Sequence, residues 1–237
     1  MEFHPQKCEI INISRKRHII HYPYTLHGHQ LKHVEQTKYL GVTITQDFRW
    51  SSHVDNISTK ANNTLNFLRR NINIKNQTIK GAAYKTLVRP ILEYASSVWD
   101  PSSALLSTKL EKVQRRAARF TLCDYNRTSS VGVMLQQLAW PTLAVRRKNA
   151  RLAMLYKIQN DLVKIDRGKY LEPKCHRFPT RKENSHAFVV PTSDRDYHKY
   201  SFFPRTIREW NVLPESAVRS GTIDAFKQRL LLFQASP

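Results

Sequence analysis

The chain has 237 residues, enough for one domain or two small ones with a real core, and its 41% hydrophobic and 24% charged content excludes disorder as the default. Its net charge of +21 is concentrated: residues 51–165 carry +13, against +3 before them and +5 after them. A middle segment that positive repels itself unless a polyanion is near, which points to nucleic acid before any other partner.

In chain order, the first 36 residues read as short strands joined by turns. Residues 9–14 form an isoleucine-rich strand and Arg15-Lys16-Arg17 a charged turn, and residues 22–26 and 30–34 pair across His27-Gly28-His29. Residues 39–45 form a further strand, rich in β-branched and aromatic residues, with Gly41 inside it as a bulge or point of close approach. A small antiparallel sheet over residues 8–46 is therefore predicted, and a sheet of that size needs something packed on its apolar face.

The hydrophobic period then changes from 2 to 3.6. Ser52 with Asp55 gives a capping-box signature, and Val54, Ile57, Ala61, Leu65, Leu68 and Ile72 recur as one helix face. Asn76 caps a second helix to about residue 98, with Ile79, Ala83, Leu87, Ile91, Tyr94 and Val98 inward and a kink at Pro90. Ser103 opens a third, with Leu106, Leu110, Val113, Ala117 and Phe120 inward and Lys109, Lys112, Arg115, Arg116 and Arg119 on its other faces. Only Glu111 offers local compensation, so this run reads as phosphate contact more than as a solvated face.

Ser130 caps a short helix with Met134, Leu135 and Leu138 inward, and Trp140-Pro141 closes it. Thr142 caps a longer one to about residue 160. Its first turns hold Arg146, Arg147, Lys148 and Arg151, where cations oppose the helix dipole, so they read as placed for a partner. Residues 166–200, punctuated by Pro173, Pro179 and Pro191, read as a linker or functional loop. A helix over 202–210 and a last one opened by Thr222 and Asp224, with Phe226, Leu230 and Phe233 inward, complete the chain; the aromatics here read as core. The fold class is α+β, mainly α, divided as 1–50, 51–122, 123–165, 166–200 and 201–237.

Several segments together resemble a known family. Tyr39-Leu40-Gly41-Val42, then Asp47-Phe48-Arg49-Trp50 and His53-Val54, resembles the segment that follows the polymerase centre in reverse transcriptases of non-LTR retrotransposons of the jockey-like kind. Residues 1–9 are similar to the last palm piece. Leu87-Val88-Arg89-Pro90-Ile91-Leu92-Glu93-Tyr94-Ala95 through Trp99-Asp100-Pro101, residues 110–119 and residues 202–211 are similar to the family's thumb and beyond. The resemblance covers nearly the whole chain. It implies a palm remnant over 1–50, thumb-like helices over 51–122, a helical extension over 123–165 and C-terminal helices over 201–237. It also implies primer-grip roles for Tyr39, Leu40, Gly41 and Val42, and a basic thumb face that tracks an RNA or DNA template–primer.

The chemistry of polymerisation is missing from the sequence. Two-metal catalysis needs closely set carboxylates, and no two acidic residues are adjacent anywhere in the chain. By the resemblance, Met1 begins just beyond the family's catalytic hairpin, so a truncated, non-catalytic fragment is expected. No Gly-x-Ser-x-Gly turn, Walker loop or His-Glu-x-x-His motif occurs. His27, His29, His33, Cys175, His176 and His186 lack ligand spacing for a metal, and Asp194 with Asp196 lacks a third carboxylate. The expectations are no cofactor, no metal, no small-molecule substrate and no membrane span. Cys8, Cys123 and Cys175, odd in number and far apart, argue for a reducing intracellular setting. An exapted nucleic-acid-binding module and a non-functional retroelement remnant are the alternatives.

Overall fold

The computed structural model describes residues 3–20, 22–174 and 184–235, so Pro179, Cys175 and His176 lie outside the described residues. It is mainly helical, 55% helix against 8% strand, with small two-stranded sheets at the N-terminus followed by helices, as the change of period predicts. The chain divides into two compact units, Met1–Ala95 with Trp99–Ala139, and Ser96–Val98 with Trp140–Pro237.

The first unit opens with β1 (Glu9–Ile10), β2 (Thr25–Leu26), β3 (His29–Gln30), β4 (Lys32–His33), β5 (Gln36–Tyr39) and β6 (Val42–Thr45). They form three separate pairs rather than one sheet, and β1 runs parallel to β4, which corrects the expected all-antiparallel arrangement. Four of the six strands are only two residues long and offer too few ladder bonds to recruit a further neighbour. β2–β3 and β5–β6 are antiparallel hairpins closed by His27-Gly28 and Leu40-Gly41, with positive φ at both turn residues. That is the type I′ device, whose twist matches the flanking strands. Gly41 is therefore the second residue of a turn and not a bulge within one strand, which corrects the reading of residues 39–45.

The turn at Leu40-Gly41 is held from outside. The Tyr94 hydroxyl donates to the Leu40 carbonyl at 3.1 Å, and a Cβ on Gly41 would sit 3.2 Å from the Tyr94 ring on a backbone at φ +84°. Glycine satisfies both the handedness and the close approach.

Helix α1 (Ser51–Asn71) buries His53, Val54, Ser58, Ala61, Leu65 and Leu68. The predicted capping box is not formed: Trp50 holds the N-cap position without a side-chain bond, and Ser52 already lies inside the helix. The turn before α1 is instead built on Asp47, which accepts from the Thr45 hydroxyl at 2.7 Å and the Arg49 amide at 3.1 Å. Burial pushes the Asp47 carboxyl up, but those two bonds and the charges of Arg49 and Arg15 outweigh it and hold the group below the usual carboxylate range.

Asn76 caps α2 (Gln77–Ala83) as expected, its side chain accepting from the Ile79 amide. The chain then widens into a π turn over Tyr84–Val88, where the Arg89 amide bonds the carbonyl of Tyr84, before α3 (Arg89–Glu93) and α4 (Ser96–Trp99). Pro90 explains the widening: it has no N–H and its ring crowds the carbonyl four residues back. The buried face is Gly81, Tyr84, Val88 and Leu92, while Ile79, Leu87 and Tyr94 are exposed. The predicted face is thus corrected by about one residue, because the segment is apolar on two sides and the wide turn selects between them. Inside, the Tyr84 hydroxyl donates to Gln114 at 2.9 Å on α5 (Ala104–Leu122). The short α6 (Val131–Gln137) packs its Met134 against α5.

The second unit contains α7 (Leu143–Gln159), α8 (Arg167–Tyr170), α9 (Asp196–Lys199), α10 (Phe202–Asn211), α11 (Glu215–Val218) and α12 (Ile223–Ala235). Its core joins Leu152, Leu155 and Tyr156 of α7 to Ile207 and Trp210 of α10 and to Phe226 and Leu230 of α12. Tyr156 stacks on Phe226 at 4.6 Å between centroids and donates to the Ser220 carbonyl. Of the aromatics of this region, Trp210 and Phe226 are core, as predicted, Phe202 and Phe203 are half-buried against it, and Phe233 is exposed rather than inward. Asn211 accepts from the Phe188 amide and donates to its carbonyl, substituting for a strand partner in the irregular stretch.

A polar residue in the first unit's core has a titration consequence. His53 is 1% exposed; its Nδ1 accepts from the Thr43 amide at 3.2 Å, its ring meets Trp99 edge-on, and Nε2 is buried without a hydrogen-bond partner. Burial, with a smaller contribution from Lys38, pushes its pKa below the ordinary 6.5. The unfolded chain therefore takes up the proton first as pH falls. Stability is full above about pH 6.5 and declines as pH drops through 6.5 toward the lowered folded value. Thermal melts of His53→Asn, which keeps an acceptor for Thr43, should show a weaker pH dependence in that window than the wild type. Identical slopes would remove His53 from the account.

Candidate nucleic-acid interface

The predicted cations on α5 do share one side of that helix, opposite the buried Leu110, Val113, Gln114 and Ala117. Their surroundings differ. Lys112 and Arg115 are exposed and form no ion pair with a described residue. Lys109 is ion-paired with Asp55 of α1, both about half-exposed. Arg116 donates to the Asn62 carboxamide, also on α1, at 3.0 Å. Both contacts span 54 positions of sequence, so α1 and α5 run parallel and in register, with one side of α1 extending the basic side of α5.

Arg119 does something else. Its guanidinium donates to the carbonyls of Asn126 at 2.7 Å, Ser129 at 3.3 Å and Asp124 at 3.5 Å, fastening the loop after α5. The hydroxyl of Ser129, the Asn126 amide and the charge of Arg119 hold the Asp124 carboxyl below its ordinary value although burial opposes them. Arg119 is a loop clamp first, and its charge is partly spent there.

The cations of α7, in the other unit, divide more sharply. Arg146 and Lys148 are half-buried, but Arg147 is 1% and Arg151 2% exposed. Arg151 donates to both oxygens of Glu209 on α10, at 2.8 and 2.6 Å. The reading of Arg147 and Arg151 as nucleic-acid contacts is therefore corrected: both lie inside the fold and cannot meet a backbone phosphate. A sequence window shows that they are charged and not that both are buried, Arg151 against Glu209 of α10.

Sequence reasoning passed over the end of α1. Arg69 and Arg70 close that helix, and Arg69 lies 5.5 Å from the centroid of the Tyr125 ring on the loop that Arg119 fastens. The dibasic pair was visible in the sequence; the ring that Arg69 meets, 56 residues further on, was not. Of the grip-like residues, Tyr39 and Leu40 are exposed at the hairpin tip, Gly41 is covered on one side by Tyr94, and Val42 is buried.

Among the described residues no group of three or more His, Cys, Asp or Glu side chains comes together to hold a metal ion. Ser185, His186 and Glu215 do cluster, with the Ser185 hydroxyl 2.9 Å from His186 Nδ1 and bonded to Glu215. The carboxylate meets the hydroxyl and not the imidazole, so no relay orients a base toward a nucleophile. Among the described residues no helix is long and apolar enough to cross a membrane.

The burial of Arg151 is testable by stability. Arg151→Ala leaves Glu209 without its bidentate partner and opens a cavity, with Arg205 as a remaining, more distant cation at 4.0 Å. Destabilisation of about 3 kcal/mol is expected by chemical denaturation. A variant within about 0.5 kcal/mol of wild type, the range of ordinary surface substitutions, would return Arg151 to the surface.

No protein-family model, curated protein or solved structure matches the chain.

Proposed function

We propose that this chain binds nucleic-acid duplex independently of sequence through the exposed cations of α5, as the thumb-like part of a non-LTR retrotransposon reverse transcriptase that lacks the catalytic carboxylates. The observation that carries the reading is the row Lys109, Lys112, Arg115 and Arg116 on one side of α5, with Lys112 and Arg115 uncompensated by any described acid. Clustered cations gain from releasing the counterions condensed on a phosphate backbone, whatever the base sequence. The parallel α1 adds amides and arginines along the same edge, which suits a surface that follows a backbone rather than one that reads bases. The family assignment rests on the residue motifs described above, and the template–primer is the partner it implies.

Binding should weaken steeply with salt, with a log–log slope of about −4 to −7 if five to eight phosphates are neutralised. Changing Lys112, Arg115 and Arg116 together to Gln should flatten that slope by roughly 2 to 3 units and leave the melt nearly unchanged. A slope that does not move places the binding face elsewhere. Arg119 is left out of this variant because its loss would loosen the loop as well as the charge.

The same reading expects no polymerisation. Purified protein given magnesium, primer–template and nucleotides should produce no extension, since the carboxylates for two metal ions are absent from the chain. Incorporation that follows the protein through re-purification would overturn it.

A further inference from the structure

We propose that the open pocket at the C-terminal end of α1 is a subsite for an unpaired nucleotide, its base stacked on Tyr125 and its phosphate held by Arg69 and Arg70. The inference rests on the reading of α5 as a nucleic-acid face and deepens it. The pocket has a volume of about 410 Å³ and is lined by Asn66, Arg69, Arg70 and Tyr125, within the size range of small-molecule sites. Two guanidinium groups, a carboxamide and an aromatic ring converge, with no carboxylate in the lining.

Each component has a defined role. Tyr125 is 55% exposed, and Arg69 lies 5.5 Å from its centroid, so the ring is oriented by a cation yet open to a stacking partner. The loop carrying Tyr125 is fastened by Arg119 through three carbonyls, which removes part of the ordering cost of binding. Asp124, the acid next to Tyr125, is turned into its own loop, where it accepts from the Asn126 amide at 2.9 Å. Arg69 and Arg70 form no ion pair with a described residue. Their place in the last turn of α1 favours the helix dipole, but that role asks nothing of Asn66 or Tyr125.

An unpaired base is the occupant because stacking needs a free base face, and a base within a duplex offers only its edges. The carboxamide of Asn66 can donate to or accept from the base edge. The position also fits the seam: the pocket lies along the direction set by the Lys109–Asp55 and Arg116–Asn62 contacts, at its C-terminal end. Duplex lying on α5 would thus reach the pocket where one strand runs on alone.

The test compares, by fluorescence anisotropy, a blunt DNA duplex of about 20 base pairs with the same duplex carrying about four unpaired adenosines. The overhang should raise the affinity of the wild type at least about five-fold. Tyr125→Ala should abolish that gain and leave blunt-duplex affinity within about two-fold, while Tyr125→Phe, which keeps the ring, should retain it. An abasic overhang should give no gain, separating base stacking from added phosphate. An overhang that brings no gain, or a gain that survives Tyr125→Ala, overturns the subsite and leaves the α5 reading standing. Tyr125-dependent overhang binding without blunt-duplex binding does the reverse. Failure of both duplexes to bind overturns both. Melts of the two Tyr125 variants should match wild type, since the side chain is exposed, and a lowered melt shared by both would assign Tyr125 a structural role instead.

Discussion

The parallel pairing of α1 with α5 is the constraint on which the first unit depends. Two helices 54 positions apart in sequence come to lie side by side in one direction, so the connection between them must cross back along their length. The segment from Asn76 to Ser103 makes that crossing, and its irregularities serve it: a π turn, a proline, and Ala95 at positive φ. The buried faces of α1 and α5 carry Ala61 and Ala117, small enough to let helix backbones approach, between larger residues such as Leu65 and Leu110. Once that pairing is made, the polar edges of both helices form one seam. Asp55, Asn62 and Arg69 follow at seven-residue spacing along α1, beside Lys109, Arg116 and the loop bearing Tyr125.

The net charge of +21 overstates the positive surface. Arg147 and Arg151 are buried, and so is Lys80, its ammonium 3.0 Å from the Cys123 sulfur and 4.7 Å from the centre of the Phe120 ring. Arg119 gives most of its donors to a loop. Desolvating these cations opposes folding unless each finds acceptors, and the partners differ accordingly: a carboxylate for Arg151, carbonyls for Arg119, a thiol and an aromatic face for Lys80. Of the predicted row on α5, the part that is exposed and without an ion pair to a described residue is centred on Lys112 and Arg115, with Arg69 and Arg70 at the end of α1.

Buried polar groups recur in both units and fix orientation as well as consuming hydrogen-bonding capacity. Tyr84 to Gln114 sets the rotation of the π turn over α5, and His53 to the Thr43 amide ties α1 to the β5–β6 hairpin. In the second unit Asn184 donates to the carbonyls of Trp210 and Leu213 at the end of α10, and Tyr156 reaches the Ser220 carbonyl before α12. Apolar contacts alone would allow these elements to slide; a bond to a single backbone atom does not.

Local physical chemistry in the sequence determined much of this protein. The change of period near Trp50 located the passage from strands to helices, Asn76 and Thr142 marked helix starts through side-chain acceptors, and Pro90 marked the irregularity, because each acts within one turn of chain. The basic side of α5 was legible for the same reason. What only tertiary structure decided was which of two apolar faces of residues 77–93 turned inward, and which arginines of α7 were covered. It also decided that a glycine in an apparent strand closed a hairpin against Tyr94. Each of these depends on partners tens of residues away, whose positions follow from packing volume and hydrogen-bond geometry and leave no periodic trace in the local sequence.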